Sequence, residues 1–286
     1  MASLETILKK IYKEGLEPYG FVKLKGRYPY FVRVIGDEII QVITFEKVKG
    51  YTTIENVYRP DLKEFMVLGG IATVYRRKID LAVPTISNGN WMNTQSLMYV
   101  ISKKYKVECM DKELLNDICS YIYKPDDEQS MYEAGIKSLE MTKKIMLPIF
   151  DGVEDIKTCI SYLEKYQRTY MNLYDEEKYG WTDDKFGFDY HNEALLYIKT
   201  KCTDDYIELY EEDKRREYDL IMSGKTGLTM EHYKKYCVES EERRLKKIEI
   251  RDRILNTPEI YNNAMLELNR RKKVNQETLR SYGLNI

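Results

Sequence analysis

The sequence predicts an α+β protein: an N-terminal antiparallel sheet with a helix packed on it, followed by an all-helical C-terminal region. Three observations carry this reading. Residues 28–46 form two runs of strand-forming residues joined by Gly36-Asp37, a two-residue hairpin signal. Ahead of them, Leu4, Ile7, Leu8, Ile11 and Tyr12 recur at the spacing of one helical face. After about residue 110 the apolar positions return in steps of three and four, the helical period, almost to the end of the chain. The division that follows is an α+β domain over 1–150 and a helical region over 151–286.

The first helix is capped by Ser3 and ends near Gly15, before Pro18 and Gly20. A short strand follows over 21–24. With a two-residue loop, Ile35 opposes Glu38, Val34 opposes Ile39 and Val32 opposes Gln41. One face then carries Tyr30, Val32, Val34, Ile39, Ile43 and Phe45, and belongs on the core. The other face, from Phe31 and Arg33 to Val42 and Thr44, is half apolar and expected to be partly covered. Residues 47–63 are polar and irregular. A long strand is expected from Phe65 to Tyr75, with Gly69-Gly70 marking a bulge or bend. Residues 83–94 read as a loop and 97–101 as a further strand.

Leu114, Leu115, Ile118, Cys119 and Ile122 predict a helix stopped at Pro125. Another is expected over 127–146, ended by Pro148. Asp151 with Glu154 resembles a capping box and opens a helix to about Tyr174. Residues 175–188 are an acidic, aromatic linker. Asp189 and Asp204 are placed to cap helices over 190–202 and 205–222, with Gly224 beyond the latter. Thr229 precedes a long charged helix to about Leu255, and Thr257-Pro258-Glu259 opens the last, which Gly283 stops.

A 286-residue chain that is 43% hydrophobic and 33% charged can bury a sizeable core. It contains no apolar run near the roughly 18 residues of a membrane span. Its start reads as a helix and not as a leader peptide. Cys109, Cys119, Cys159, Cys202 and Cys237 are scattered and odd in number, with no C-x-x-C pair, which points to thiols in a reducing compartment; cytoplasm is the default. The net charge of −1 hides segregation: +3 over 1–150, −9 over 151–220 and +5 over 221–286. An acidic middle and a basic tail can neutralise each other within one fold. The 26 tyrosines fit a composition also rich in Lys, Ile and Asn better than they fit an aromatic binding surface.

Each motif with chemical content has a plainer structural reading. Ser223-Gly224-Lys225-Thr226 lacks the earlier glycine of a phosphate loop, having Asp219 there, and follows a helix where that loop follows a strand. It reads as a helix C-cap. His191-Asn192-Glu193 has no P-C-x-x-C after it, and nothing local supplies a third zinc ligand. Asp183, Asp184 and Asp189, with His191, are the best candidates for a carboxylate- or metal-dependent site, although their spacing is not that of an EF-hand. A solvated loop pinned by Trp181 and Phe188 is the favoured account. Tyr162, Tyr166, Tyr170 and Tyr174 stand four apart along one helix, as a core border or, less simply, a stacking row. Arg243, Arg244, Lys246 and Lys247, with Arg270, Arg271, Lys272 and Lys273, form basic clusters that a phosphate-binding face would need. Their i,i+4 acidic neighbours suggest self-pairing instead.

Tyr19-Gly20-Phe21, Lys23-Leu24-Lys25-Gly26, the strand through Tyr30, Phe31 and Arg33, residues 39–45, and Leu147-Pro148-Ile149-Phe150-Asp151 together resemble a bacterial family known only as a domain of unknown function. The resemblance covers residues 1–165. Its motifs are packing and turn residues, so it implies an α+β domain of bacterial origin and no activity.

The leading functional expectation is a non-catalytic cytoplasmic protein that binds another macromolecule, most simply a protein. It rests on the absence of clustered chemistry, the half-apolar second sheet face and the segregated charge. No cofactor, metal or membrane is called for. The second reading is a hydrolase built on Asp183, Asp184, Asp189 and His191; the third is nucleic-acid binding by the basic C-terminal helices.

Overall fold

The structure, a computed structural model, describes residues 2–25, 29–48, 58–76, 79, 94–96, 121–164, 192–224 and 226–286. The strand expected over 97–101, the helical residues 114–120, the linker over 175–188 and all but the last residue of the loop expected over 83–94 fall outside them; that last residue, Thr94, lies in a strand. The chain divides into two compact units. The first comprises residues 1–159 and 271–286, the second residues 160–270. The sequence division at 150 and 151 differs from this chiefly in its tail: the last sixteen residues belong with the sheet.

In the first unit α1 (Leu4–Leu16) begins at Ser3, whose hydroxyl accepts from Thr6 N, and a short 3-10 turn follows over Glu17–Tyr19. Gly20 then takes φ +81°, a conformation that favours glycine. The sheet contains β1 (Val22–Lys23), β2 (Phe31–Ile35), β3 (Ile39–Val48), β4 (Lys63–Thr73), β5 (Thr94–Ser96) and β6 (Tyr121–Tyr123). All its pairings are antiparallel, in the order β1-β2-β3-β4-β5, with β6 pairing β4 beyond β5. The expected α+β architecture is therefore present.

The hairpin register is a correction. Gly36 and Asp37 both take positive φ, 57° and 59°, as expected of a tight turn, but Ile35 pairs with Ile39 and Val34 with Ile40. Glu38 is left over. Its carbonyl accepts from Val74 N at 2.9 Å, and its carboxylate accepts from the Tyr75 hydroxyl, so β4's end claims it. The one-residue shift puts Val32 and Val34 opposite in face to Ile39 and Ile43. Alternation could not reveal this, because β3 is buried on both sides from Ile39 to Phe45.

One sheet face carries a chain of rings. Tyr12 of α1 meets Phe45 edge-on with centroids 4.4 Å apart, Phe45 meets Phe65 at 6.3 Å, and Phe65 stacks on Tyr121 at 5.3 Å. Each buried ring contributes about 2–3 kcal/mol by leaving water. This is also why Ile122, expected on a helix, lies in β6: Tyr121-Ile122-Tyr123 places two rings against Phe65 while pairing with Lys63–Phe65. β4 runs through Gly69 and Gly70 in unbroken register opposite Ile43 and Val42, without the expected bulge. The glycine serves close approach instead: a Cβ on Gly69 would stand 2.0 Å from Met146 Sδ.

Helix α2 (Glu128–Met141) is capped by Asp127 and packs on α1, where a Cβ on Gly15 would meet Leu139 at 2.3 Å. The buried Tyr12 hydroxyl donates to Ser138 Oγ at 3.0 Å, and burial raises its pKa. Pro148 does not end the helical run. A π turn over Thr142–Met146 intervenes, and Pro148 sits in the first turn of α3 (Leu147–Asp151), where its missing N–H matters least. Asp151 closes α3; the cap of α4 (Ile156–Tyr162) is Asp155, which accepts from Thr158 N at 2.8 Å. Residues 271–286 are stitched to the sheet by Asn275, which is fully buried. Asn275 donates to Val74 O and Arg76 O and accepts from Ile79 N.

The second unit holds α5 (Asn192–Thr200), α6 (Ile207–Met222), α7 (Met230–Asn256) and the first part of α8 (Pro258–Ser281). Ile207 N donates to Asp205 Oδ1 at 3.3 Å, so the residue assisting the start of α6 is Asp205 where Asp204 was expected. Gly224, at φ +67°, follows α6, and Thr229 caps α7.

Candidate functional site

Asp183, Asp184, Asp189 and His191 lie outside the described residues, as do Tyr166, Tyr170 and Tyr174. Among the described residues, no three His, Cys, Asp or Glu side chains are grouped as a metal would require. His232 is a capping residue: its Nδ1 lies 2.8 Å from Thr229 Oγ1 and accepts from Thr229 N. Ser223 donates to Leu220 O within the turn after α6, the helix-end role its sequence suggested.

Most of the described members of the basic clusters are engaged by carboxylates or buried. Arg244, with its side chain 12% exposed, binds Glu241 Oε1 at 2.7 Å and Asp205 Oδ2 at 2.9 Å. Arg270 holds Glu267 through two bonds of 2.6 Å. Arg271 is buried, and Lys272 Nζ lies 3.6 Å from Glu38. Lys273 is exposed. The side chains of Arg243, Lys246 and Lys247 lie outside the description. Arg244 and Arg270 pair at i,i+3, and Arg244 and Lys272 also reach carboxylates far along the chain.

In the first unit, segments far apart in sequence meet at Arg33. Its Nε donates to Gln41 Oε1 at 2.6 Å, one terminal nitrogen to Tyr19 O at 3.1 Å, and the other to Asp151 Oδ1 at 2.6 Å. The guanidinium lies 4.8 Å from the Phe21 ring centre, and Gln41, fully buried, donates onward to Phe150 O. The Tyr-Gly-Phe turn, the hairpin and the Phe150-Asp151 element are therefore the parts of one clasp. Sequence reading placed each of them but not their meeting. The signal available was a lone Arg in β2 and a Gln amid the apolar run from Ile39 to Ile43. With each of its three nitrogens donating to an acceptor of the fold, Arg33 holds structure together.

A second polar centre lies in the second unit. The Tyr197 hydroxyl donates to the buried carboxylate of Glu164. Burial and that carboxylate both raise the Tyr197 pKa, so it stays a donor at neutral pH. Burial pushes the pKa of Tyr206, beside it, up to about 12, against the opposing effect of a hydrogen bond with Ser161. The connecting loop carries two left-handed residues, Lys201 and Tyr206, both at φ +51°. Arg251 anchors it by donating to Thr203 O and Asp204 O. Such strain requires surrounding contacts to hold it; here they come from α7.

Helices α6 and α7 run antiparallel: Tyr218 meets Tyr233 at 5.4 Å, and Asp205 meets Arg244. Their outer surface exposes apolar side chains. Met222 (62% exposed), Leu228 and Met230 flank the connecting turn, and Val238 (58%) and Leu245 (53%) follow along α7. The second sheet face, by contrast, is buried and offers no such surface: Val32, Ile40, Val42 and Leu68 are fully covered. No helix among the described residues is long and apolar enough to cross a membrane. No protein-family model, curated protein or solved structure matches the chain.

Proposed function

We propose that this protein is a non-catalytic binding module, and that its contact surface for another protein is the exposed side of the α6–α7 pair. The observation that supports this is the run of apolar side chains from Met222 through Leu228, Met230 and Val238 to Leu245, on helices whose inner sides are already packed. Exposed apolar side chains in sequence along one pair of helices are a recognised mark of interaction surfaces. The internal pairing of Arg244, Arg270 and Lys272 favours a protein over a nucleic acid as partner. The thiols of Cys159, Cys202 and Cys237 fit a cytoplasmic setting, and the resemblance over residues 1–165 fits a bacterial one.

Site-specific photo-cross-linking in cells tests the reading. A cross-linker at position 222, 230 or 238 should capture protein adducts, while one at the exposed Tyr132 in the first unit serves as control. Equal yields at all four positions would sink it.

A further inference from the structure

The exposed side of α7 is self-complementary, and we infer that its occupant is the same helix of a second copy, docked antiparallel. This rests on the reading of α6–α7 as a protein-binding surface and names the partner. Glu231, Lys235, Val238, Leu245, Glu249 and Arg253 are all exposed, and they recur in steps of three, four and seven along one side of the helix. Turning a copy of α7 end for end about Glu242 sets Val238 within one residue's rise, about 1.5 Å, of Leu245, and brings Lys235 opposite Glu249 and Glu231 opposite Arg253. At about 1.5 Å per residue these pairs lie about 5, 10 and 16 Å from the centre, within a helix about 40 Å long. The charges are opposite on both flanks, and the two apolar pairs stand inside them on either side of Glu242. A parallel mate would set Lys235 on Lys235 and Glu249 on Glu249, which is repulsive.

An isologous two-fold contact requires a surface that matches itself reversed, and a foreign partner makes no such demand. That is the argument for a second copy. The one mismatch is at the centre, where Glu242 meets its own counterpart. Two apolar side chains per copy place the dimer in the small, transient class, with a dissociation constant on the order of micromolar and a marked sensitivity to salt.

Sedimentation velocity of the full chain over about 1–100 μM tests this. The expected result is a reversible dimer that loosens with salt, is lost in Leu245→Lys and tightens in Glu242→Gln. Lys235→Glu and Glu249→Lys should each weaken it about tenfold, and an equimolar mixture of these two variants should restore it as a heterodimer. All the positions are exposed, so far-UV circular dichroism should be unchanged. A monomer throughout, a dimer indifferent to Leu245→Lys, or no rescue in the mixture overturns the inference. If foreign proteins still cross-link at position 238 of a monomeric chain, self-docking fails and the binding reading stands. Absence of both dimer and adducts removes both.

Discussion

Replacing Asn275 by alanine should loosen the sheet unit, although the residue lies 201 positions from its partner Val74. Asn275 has no solvent exposure. Its Nδ2 donates to Val74 O at 2.9 Å and Arg76 O at 2.6 Å, and its Oδ1 accepts from Ile79 N at 3.0 Å. Three such bonds contribute about 3 kcal/mol net. Stranding the backbone groups without water raises the loss to about 3–5 kcal/mol. Asn275→Leu, close in volume, strands the same groups and should lose a similar amount, which separates hydrogen bonding from packing. Exposed Lys273→Ala should stay within about 0.5 kcal/mol. Urea titration, with protection of the β3 and β4 amides followed by hydrogen exchange, measures the effect where it should occur. A loss below about 1 kcal/mol, or one confined to residues 160–270, would refute the assignment of the C-terminal residues to the sheet.

Gly69→Ala should cost about 2 kcal/mol, because Met146 must leave its place against β4, and Met146→Ala in the same chain should recover part of that in a double-mutant cycle. Arg33→Lys keeps the charge but cannot reach Gln41, Tyr19 O and Asp151 together, so chemical denaturation should reveal a loss of about 2 kcal/mol. The Asp155 carboxyl is held below its ordinary range by the Thr158 amide and then its hydroxyl. A carboxyl whose folded value is depressed contributes fully above its unfolded value and loses that contribution as the pH falls through the folded one. Asp155→Ala should therefore cost about 1 kcal/mol at neutral pH, and the gap to the parent chain should close in strong acid; a gap that persists there would count against the cap.

Sequence reading succeeded where the controlling atoms are near neighbours. Ser3 capping α1, the Gly36-Asp37 turn, Thr229 opening α7 and Gly283 ending α8 each depend on backbone groups only a few residues away. It went astray where distant groups compete. Glu38 slipped out of the hairpin because Val74 and Tyr75 bind it. Pro148 continued a helical run because it stands in the first turn of α3, directly after a π turn, a position that tolerates its missing N–H. Asp151, read as a cap, went to Arg33 instead. Among the candidate site residues, Arg244 and Arg270 pair with carboxylates one helical turn back, Glu241 and Glu267, while Asp205, the second partner of Arg244, lies far off in the chain where periodicity cannot show it.

The order of the amino acids by itself determined the α+β class, the helix ends set by Ser3, Thr229 and Gly283, and the tight turn near the N-terminus. These follow from backbone preference and hydrogen bonds closed within a turn or two of chain. The tertiary structure alone decided the strand register, the close approach at Gly69, the clasp around Arg33 and the attachment of residues 271–286 to the sheet. Both faces of β3 are apolar enough to be buried, so pattern could not choose between registers; only the fixed positions of distant donors and acceptors could.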